Sequence, residues 1–503
     1  MFDQYRLTIM TFPQRFDGSN LSLNVLILPQ LSTQWNGNPL LDLPLGYPNP
    51  ASMGVPFAES ELALELRLTA GPDGFPKHDP VDAVLPLATQ TSFPDAVALY
   101  TELQSQFQIK DTVSTADLAE APKASLKVRK YVAPSYRVAA GFTRPRIPEI
   151  VTDDSYHCAI REAKEPNPAF QPSSNEVTWG KVYAYCLRHP LLARRLGLIR
   201  EATVALDSQL LSLMETEGIF YVTLAQGSSY LDNLAPNEHF NFVRHYAARV
   251  PALEAGTARP LFAAALFPVL FGVASPDGNY DQVFIDAAEY DDGFAKVVHT
   301  NQPISQNLLV EDDDGFPPVH DIGIRMAWDD ERVCEWQNRQ LKEREDQPGT
   351  GKRLDAPMGV FGYRIDARLQ GEAQWRSLTA VQSKGDLQLG PINLGTYTGE
   401  LAVEVHPMQL DGDQANSEFW LPIYFAQWNG KSLVLPDEDA AALYKTEQAA
   451  SQAVVLGRLY NPVGLESIPL RYGNIYEFRV RLMDATSPGP ELREEPVYEA
   501  QAP

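Results

Sequence analysis

Cysteine is scarce in this sequence, with only three residues in 503. Cys158, Cys186 and Cys334 stand far apart, and their number is odd. This pattern excludes a disulfide framework and a Cys-x-x-Cys metal site, because both require regularly spaced pairs. The sequence therefore predicts a protein of a reducing compartment.

Basic charge is also in short supply, since 41 lysines and arginines stand against 65 acidic residues, for a net charge of −24. No dense block of basic residues occurs. A field of this sign repels phosphate backbones and anionic lipid surfaces. We therefore expect no nucleic acid and no membrane among the partners, and we expect other proteins or further copies of this chain instead.

Long apolar runs are missing as well. The most apolar stretch, residues 260–274, is interrupted by Pro268 and falls short of the roughly 18 to 20 apolar residues that span a bilayer. The first twenty residues lack a basic region followed by an apolar core, so no secretory signal is predicted. We expect a chain that is cytoplasmic as synthesised, and the sequence leaves its final location open.

Proline and glycine, by contrast, are plentiful and spread along the chain, at 40 and 32 residues. This distribution favours many short elements joined by turns, and the length exceeds what one hydrophobic core usually supports. We predict a mainly β, multi-domain protein with an α-containing middle region. The predicted parts are a β-rich N-terminal domain at 1–145, a mixed α/β region at 146–310, a β-sandwich at 318–490 with an inserted β subdomain at about 385–455, and a tail at 491–503.

Local patterns support this division. Residues 21–29 and 60–70 alternate with a period near two, which predicts half-buried strands. In the middle region, Pro190 directly follows His189 within a helix-compatible stretch. Because proline favours the first position of a helix, two short helices separated at this point are predicted.

The clearest alternation lies in the last third of the chain. Residues 322–328, 362–369 and 475–483 all follow it, and each predicts a strand with only one face buried. In the second of these segments Tyr363, Ile365, Ala367 and Leu369 share the apolar face, opposite Arg364, Asp366 and Arg368. In the third, Tyr476, Phe478, Val480 and Leu482 share the apolar face, opposite Glu477, Arg479 and Arg481.

These segments resemble a fibronectin type III module. Leu470 precedes Tyr476 by six residues, a spacing similar to the corner at which a tyrosine hydroxyl of that family bonds back to the preceding loop. Trp328 resembles the family's core tryptophan, residues 362–378 its third strand, turn and following strand, and residues 470–490 its sixth strand. The resemblance covers about a third of the chain and implies a β-sandwich there.

One departure from that family is large. Some eighty residues stand between the fourth and sixth strands of the resemblance, where a short stretch is expected. They include a strand-like segment at 399–407 and a hairpin signal at Asn429-Gly430. Either an inserted β subdomain or two sandwiches side by side would account for them.

Candidate chemistry is sparse. Acidic runs such as Glu311 to Asp314 could supply oxygen ligands to calcium, but each adjoins a glycine or a turn, which favours solvated loops. His157 and Cys158 are adjacent, a poor arrangement for a catalytic pair, and no zinc-binding, nucleotide-binding or hydrolase motif occurs. We predict no metal and no cofactor, and the balance is against an enzyme.

Aromatic residues are concentrated at 418–428, where Trp420, Tyr424 and Trp428 are the predicted binding residues. On a strand, neighbouring aromatics face opposite ways, so both faces must be covered. The inserted subdomain could cover one face as part of a core. A protein or carbohydrate ligand could cover it instead, since aromatics are enriched at such contact surfaces.

Three functional hypotheses follow. The first is a non-enzymatic structural or interaction protein, a β-rich building block or adaptor of a larger assembly. The second is a carbohydrate-binding or carbohydrate-active protein with paired carboxylates in an aromatic-lined cleft. The third is an effector or toxin component exported without a classical signal.

Overall fold

The computed structural model of the protein describes part of the chain, in which β-strands predominate. The described residues are 7–29, 62–71, 80–89, 93–107, 179–225, 243–263, 266–269, 295–299, 324–328, 360–403, 408–409, 419–420, 426–428, 430–435, 459–471 and 473–494.

Strands and helices alternate irregularly along the chain. The strands are β1 (Leu7–Phe16), β2 (Asn20–Pro29), β3 (Leu64–Ala70), β4 (Ala83–Leu87), β5 (Ile199–Ala205), β6 (Gly218–Leu224), β7 (Val243–Val250), β8 (Arg259–Pro260), β9 (Leu266–Pro268), β10 (Ala295–His299), β11 (Ile324–Trp328), β12 (Val360–Leu369), β13 (Arg376–Ser377), β14 (Ala380–Gln382), β15 (Leu387–Leu389), β16 (Ile392–Gly395), β17 (Thr398–Glu400), β18 (Met408–Gln409), β19 (Phe419–Trp420), β20 (Ala426–Gln427) and β21 (Tyr476–Asp484). The helices are α1 (Ala96–Phe107), α2 (Trp179–Cys186), α3 (Pro190–Arg195) and α4 (Ser208–Leu213).

Nine strands form one large sheet, in the order β4-β3-β6-β7-β1-β2-β5, with β8 beside β1 and β9 beside β7. Neighbours are antiparallel except for β1 and β7, which run parallel. An isolated bridge between Thr89 and Ala202 joins the two ends, so the sheet nearly closes on itself. The large sheet takes strands from both sides of residue 145 and therefore crosses the predicted boundary between the first two parts.

The large sheet encloses apolar side chains supplied by the alternating strands. In β2, Leu21, Leu23, Val25 and Ile27 are all buried, as their period of two predicts. Helix α1 packs against this core through Ala96, Leu99, Tyr100 and Leu103, the spacing of one helix face.

Helices α2 and α3 confirm the predicted break at His189-Pro190. His189 is the extended residue before α3, and Pro190 occupies its first position. Proline fits there because its missing N–H would have no partner within the helix anyway. No helix among the described residues is long and apolar enough to cross a membrane.

The small sheet consists of three antiparallel strands in the order β13-β12-β21. Strands β12 and β21 pair along nearly their whole length, from Leu369 opposite Tyr476 to Val360 opposite Asp484. The predictions of strands at 322–328, 362–369 and 475–483 are thus confirmed in position. Around the small sheet lie the short pairs β14-β17, β15-β16 and β18-β19 and the three-stranded sheet β10-β11-β20.

The predicted hairpin at Asn429-Gly430 is wrong in its second half. Strand β20 pairs with β11, and residues 430–435 form turns instead of a strand. The physical reason is that backbone groups of this segment bond elsewhere. Ser432 N donates to Pro462 O at 2.7 Å, and Leu433 N donates to Leu378 O at 2.9 Å.

The two sheets share a hydrophobic core. One continuous cluster of buried residues includes Ile9 and Phe12 of the large sheet together with Ile365 and Leu482 of the small sheet. The apolar face of the small sheet is therefore buried as predicted, and the two sheets bury apolar surface in common.

Candidate functional site

Most of the opposite face of the small sheet is buried too, although its side chains are charged; only Arg368 and Glu477 at one end are partly exposed. Asp366 and Arg481 are 0 % exposed, and Arg364 and Arg479 are each 8 % exposed. The prediction that β12 and β21 bury only one face is therefore wrong. We call this surface the charged face; it comprises Arg364, Asp366, Arg368, Glu477, Arg479 and Arg481.

Asp366 lies at the centre of the charged face. Its Oδ2 accepts from Arg479 Nε at 2.7 Å and from Arg481 Nε at 2.6 Å, and its Oδ1 accepts from Arg481 Nη2 at 2.7 Å. The register explains the contact, since Asp366 stands opposite Arg479, and Arg481 lies two residues further along β21, on the same face. A two-pronged arginine–carboxylate contact of this kind offsets the cost of removing both charges from water.

A second carboxylate, Glu400 at the end of β17, reaches the charged face from the side. It accepts a hydrogen bond from Arg481 and lies 3.7 Å from Arg364 Nη1. Burial alone would raise the pKa of Glu400, but the charges of Arg481 and Arg364 outweigh it and lower this pKa to about 2. Burial lowers the pKa of Arg364, against the opposing charge of Glu400.

An aromatic ring covers the other end of the charged face. The guanidinium carbons of Arg368 and Arg479 lie 4.2 and 4.6 Å from the centre of the Trp375 ring. Arg368 also pairs with Glu477, its direct cross-strand neighbour. The indole therefore replaces water over two arginines while leaving a favourable cation–π contact.

Backbone carbonyls close the remaining side of the charged face. They belong to a segment that we call the strap, residues 484–494. Arg364 donates to Ser487 O, and Arg481 Nη1 donates to Pro490 O at 2.8 Å. Arg479 donates to Leu492 O and Glu494 O. The strap thus begins at the last residue of β21 and folds back over the arginines of that strand.

The strap also joins the small sheet to the large one. Gln14 Nε2 of β1 donates to Asp484 Oδ2 at 2.8 Å, and Asn24 Nδ2 of β2 donates to Thr486 Oγ1 at 3.0 Å. Burial raises the pKa of Asp484 to about 6, although Thr486, Gln14 and the charge of Arg364 all oppose this shift. A titratable group therefore lies buried at the junction between the two sheets.

A polar groove with a volume of about 320 Å³ lies between the strap and strands β1, β2 and β5. Ser22, Asn24 and Thr203 contribute to its lining. The Arg15 side chain reaches across the groove to the strap, where its Nη1 lies 3.5 Å from Glu491 Oε1 and 3.6 Å from Glu494 Oε1. These ion pairs are partly solvated, so we expect each to contribute at most about 1 kcal/mol.

A smaller cluster joins the helices to the small strand pairs. His189 Nε2 and the Tyr460 hydroxyl are 3.1 Å apart, and the His189 and Tyr397 rings have centres 4.9 Å apart. Burial lowers the pKa of His189 and raises that of Tyr397 to about 12. Each shift favours the neutral form, which suits a packed junction.

Cys186, at the end of α2, is the one cysteine among the described residues. Its side chain is buried, and burial raises the pKa of the thiol to about 12. A thiol rather than a thiolate therefore occupies this position at neutral pH, and it acts as a small apolar side chain.

Of the three predicted binding residues, only Trp428 has a described side chain. Trp420 stands in β19 opposite Met408, and its side chain lies outside the described part, as does all of Tyr424. Trp428 is 4 % exposed and belongs to the shared hydrophobic core.

The remaining candidates, Glu311 to Asp314 and Cys158, also lie outside the described residues. Within the described residues, no group of three or more histidine, cysteine or acidic side chains is placed to hold a metal ion.

Sequence reasoning missed the charged face, although a signal for it was present. Strand β12 presents charges in the order plus, minus, plus, and β21 presents minus, plus, plus. Antiparallel pairing sets Arg368 opposite Glu477 and Asp366 opposite Arg479. Two of the three cross-strand pairs on this face thus join opposite charges, which favours direct pairing of the two strands, whereas the third pair sets Arg364 opposite Arg481.

Comparison with known proteins gives no match: no family model, no curated protein and no solved structure matches the chain significantly. The fold and the site therefore define a class only in structural terms. It is a mainly β protein in which a nearly closed sheet shares its core with a smaller sheet that carries a buried charged face.

Proposed function

We propose that the chain is a non-enzymatic structural or interaction protein, a β-rich building block or adaptor of a larger protein assembly. The observation that carries the proposal is that arginines engage two carboxylates of this region, Asp366 and Glu400. Asp366 accepts three hydrogen bonds from two arginines, and Glu400 contacts two arginines. Carboxylates held in this way stabilise structure and are poorly placed to exchange protons with a substrate.

The same reasoning applies to the described nucleophile and base candidates. Cys186 is buried with a raised thiol pKa, and His189 is held between two tyrosine side chains with a lowered pKa. A nucleophile needs a lowered pKa or an adjacent base in an accessible site. These two residues instead fit roles in packing, which supports a protein that acts through its surfaces.

The fibronectin type III-like character of the C-terminal third is part of this proposal. Two features support it. The strand order β13-β12-β21 sets the third and sixth strands of the resemblance side by side, as in sandwiches of this family. The Tyr476 hydroxyl accepts from Arg471 N at 2.9 Å, the bond to the preceding loop that the spacing of Leu470 and Tyr476 predicts.

We propose residues 418–428 as the partner contact, with Trp420 and Tyr424 as its aromatic anchors. Trp428, buried in the shared core, would hold the end of this segment in place. Aromatic anchors dominate the binding energy of many protein interfaces, and the strongly acidic chain favours a partner with basic groups around the contact.

The first experiment measures native mass by light scattering after size exclusion, on protein isolated gently from its own source. A mass well above 55.8 kDa, or stable co-eluting proteins, is expected. The variant Trp420→Ala should weaken the assembly by about thirty-fold, the effect of losing one anchor of about 2 kcal/mol.

The matched control is Leu465→Ala, which removes an apolar side chain that is 70 % exposed in another loop. It should leave the native mass unchanged. A monomer at every concentration, with no co-eluting protein, would contradict the proposal.

The carbohydrate alternative requires an aromatic-lined cleft with paired carboxylates. Among the described residues that line the polar groove there are three glutamates but no aromatic side chain. The groove therefore does not favour this alternative. The third hypothesis, an exported effector or toxin component, has no supporting feature among the described residues and stays untested.

A further inference from the structure

We infer that the strap is a pH-dependent latch, which closes over the charged face in mild acid and opens more readily as the pH rises to neutrality. The inference goes beyond the proposed function and holds whether or not the chain belongs to an assembly. It rests on where a buried carboxyl group, a strained turn and a set of reversible contacts meet.

The buried carboxyl group is that of Asp484, the first residue of the strap. It connects the strap to both sheets, since it ends β21 and accepts from Gln14 of β1. Its other oxygen accepts from the backbone N–H of Thr486 at 2.7 Å and from the Thr486 hydroxyl at 2.6 Å. Its charge state therefore acts on the point at which the strap departs from the sheet.

The turn that follows is strained. Ser487 has a φ of +83°, the one described non-glycine residue in the left-handed region. Two hydrogen bonds hold this residue in place. The Ser487 N–H donates to Asp484 O at 3.0 Å, and Arg364 donates to the Ser487 carbonyl. A residue held in this region costs free energy that is released when the surrounding contacts open, so strain favours opening at this position.

The rest of the strap is attached by contacts that water can replace. Arginine side chains donate to the carbonyls of Pro490, Leu492 and Glu494. On the groove side, Glu491 and Glu494 pair with Arg15 at 3.5 and 3.6 Å. Opening would expose the three buried arginines of the charged face and widen the groove.

The charged groups around Asp484 come from several elements. Strand β12 supplies Arg364, whose charge favours the carboxylate. Strand β17 supplies Glu400, which lies against Arg364 and Arg481 and offsets their positive charge. Strands β1 and β2 contribute Gln14 and Asn24, which are neutral, and the charged Arg15, which is engaged with Glu491 and Glu494.

The direction of the effect follows from linkage. In the closed strap burial raises the pKa of Asp484 from 3.8 to about 6, whereas in the open strap the carboxyl group is solvated and returns to its ordinary value. The closed state thus binds the proton more tightly. Between pH 5 and pH 7.5 the opening equilibrium should therefore rise about ten-fold.

Hydrogen exchange of the strap tests this directly. The amides of Thr486, Ser487 and Glu491 are measured by mass spectrometry at pH 5 and pH 7.5, after correction for intrinsic exchange. Their protection should fall about ten-fold between these conditions. The amide of Tyr363, which bonds to Val403 O at 2.9 Å within the core, is the internal reference and should not change.

Two variants separate the latch from a purely structural role. Asp484→Asn keeps the shape and cannot titrate, so its strap protection should no longer depend on pH. Gln14→Leu removes a donor to the carboxylate and should shift the midpoint of opening to higher pH. The control Glu491→Gln removes an exposed strap carboxylate away from the junction and should keep the wild-type dependence.

Equal strap protection at both pH values in the wild-type chain would overturn the inference. So would a pH dependence that persists in Asp484→Asn. If Asp484→Asn does not fold, the midpoint in Gln14→Leu decides, and an unshifted midpoint would exclude Asp484 as the titrating group.

Discussion

Strand β2 of the large sheet and strand β12 of the small sheet are both ten residues long and both alternate, yet their second faces differ in chemistry. The second face of β2 carries Ser22 and Asn24 before it turns apolar. The second face of β12 carries full charges, and two of its three charged residues, Arg364 and Asp366, are buried nonetheless. Alternation therefore identifies a strand and its apolar face. Whether the other face is buried depends on what packs against it.

The difference also separates two ways of stabilising a sheet. The apolar face of β2 gains free energy in proportion to the area removed from water. The charged face gains little net free energy from burial, because desolvation nearly cancels attraction. It does, however, penalise any arrangement in which one partner is missing, so it specifies the pairing of β12 with β21 and the position of the strap.

The largest expected effect comes from removing the central carboxylate. Asp366→Asn removes the buried carboxylate that accepts from both Arg479 and Arg481, and it should lower the free energy of unfolding by about 3–5 kcal/mol, as breaking a buried ion pair does. Urea denaturation followed by circular dichroism measures this change.

The matched control for that variant is Asp386→Asn, an exposed carboxylate in the same part of the chain. It should change the free energy of unfolding by less than about 1 kcal/mol. Equal effects of the two variants would mean that the charged face contributes no more than a solvated surface does.

An intermediate effect is expected from pH. Because the folded-state pKa of Glu400 is lowered from 4.5 to about 2, its contribution is complete above pH 4.5 and is lost as the pH falls towards 2. The lowered pKa of Glu400 corresponds to a contribution of roughly 3 kcal/mol to the free energy of unfolding. Glu400→Gln should be less stable than the wild-type chain at neutral pH and equally stable near pH 2.

Thermal denaturation of both chains across this range measures the difference. Asp484 acts in the opposite direction, since its raised pKa gives stability that is lost as the pH rises from 3.8 to about 6. The comparison is therefore made in an Asp484→Asn background. A constant gap between the two curves from pH 2 to pH 7 would show that Glu400 does not titrate with the fold.

The smallest effect is expected where charges stay in contact with water. Arg15→Ala removes two ion pairs across the groove, both with partly exposed partners, and should cost about 0.2–1 kcal/mol. The loss should disappear in 1 M salt, because screening weakens exposed ion pairs. A loss of unfolding free energy above about 1 kcal/mol that persists in 1 M salt would contradict this prediction, because it would mean that the Arg15 ion pairs behave like those of the buried arginines.

Much of the fold could be predicted from local pattern. Strands β2, β3, β12 and β21 and the helix break at Pro190 follow from alternation and from the geometry of proline, both of which act over a few residues. The hairpin at Gly430 could not be predicted in full, because backbone bonds to Pro462 and Leu378 hold residues 430–435 in turns.

The candidate site was harder to predict, and the reason is distance along the chain. Asp366 and Arg481 are 115 residues apart, and Gln14 and Asp484 are 470 apart. Neither pair has a local signature, since each depends on which strands become neighbours. The aromatic segment at 418–428 was visible at once, yet only Trp428 has a described side chain, and it packs in the core.

The sequence by itself determined the β-rich character of the protein, its acidic charge and the apolar faces of its strands, because these depend on composition and short-range period. The tertiary structure alone decided that the charged face is buried, that the strap covers it and that Asp484 lies between two sheets. Charge is costly to bury unless it is paired, and pairing is a property of the folded chain.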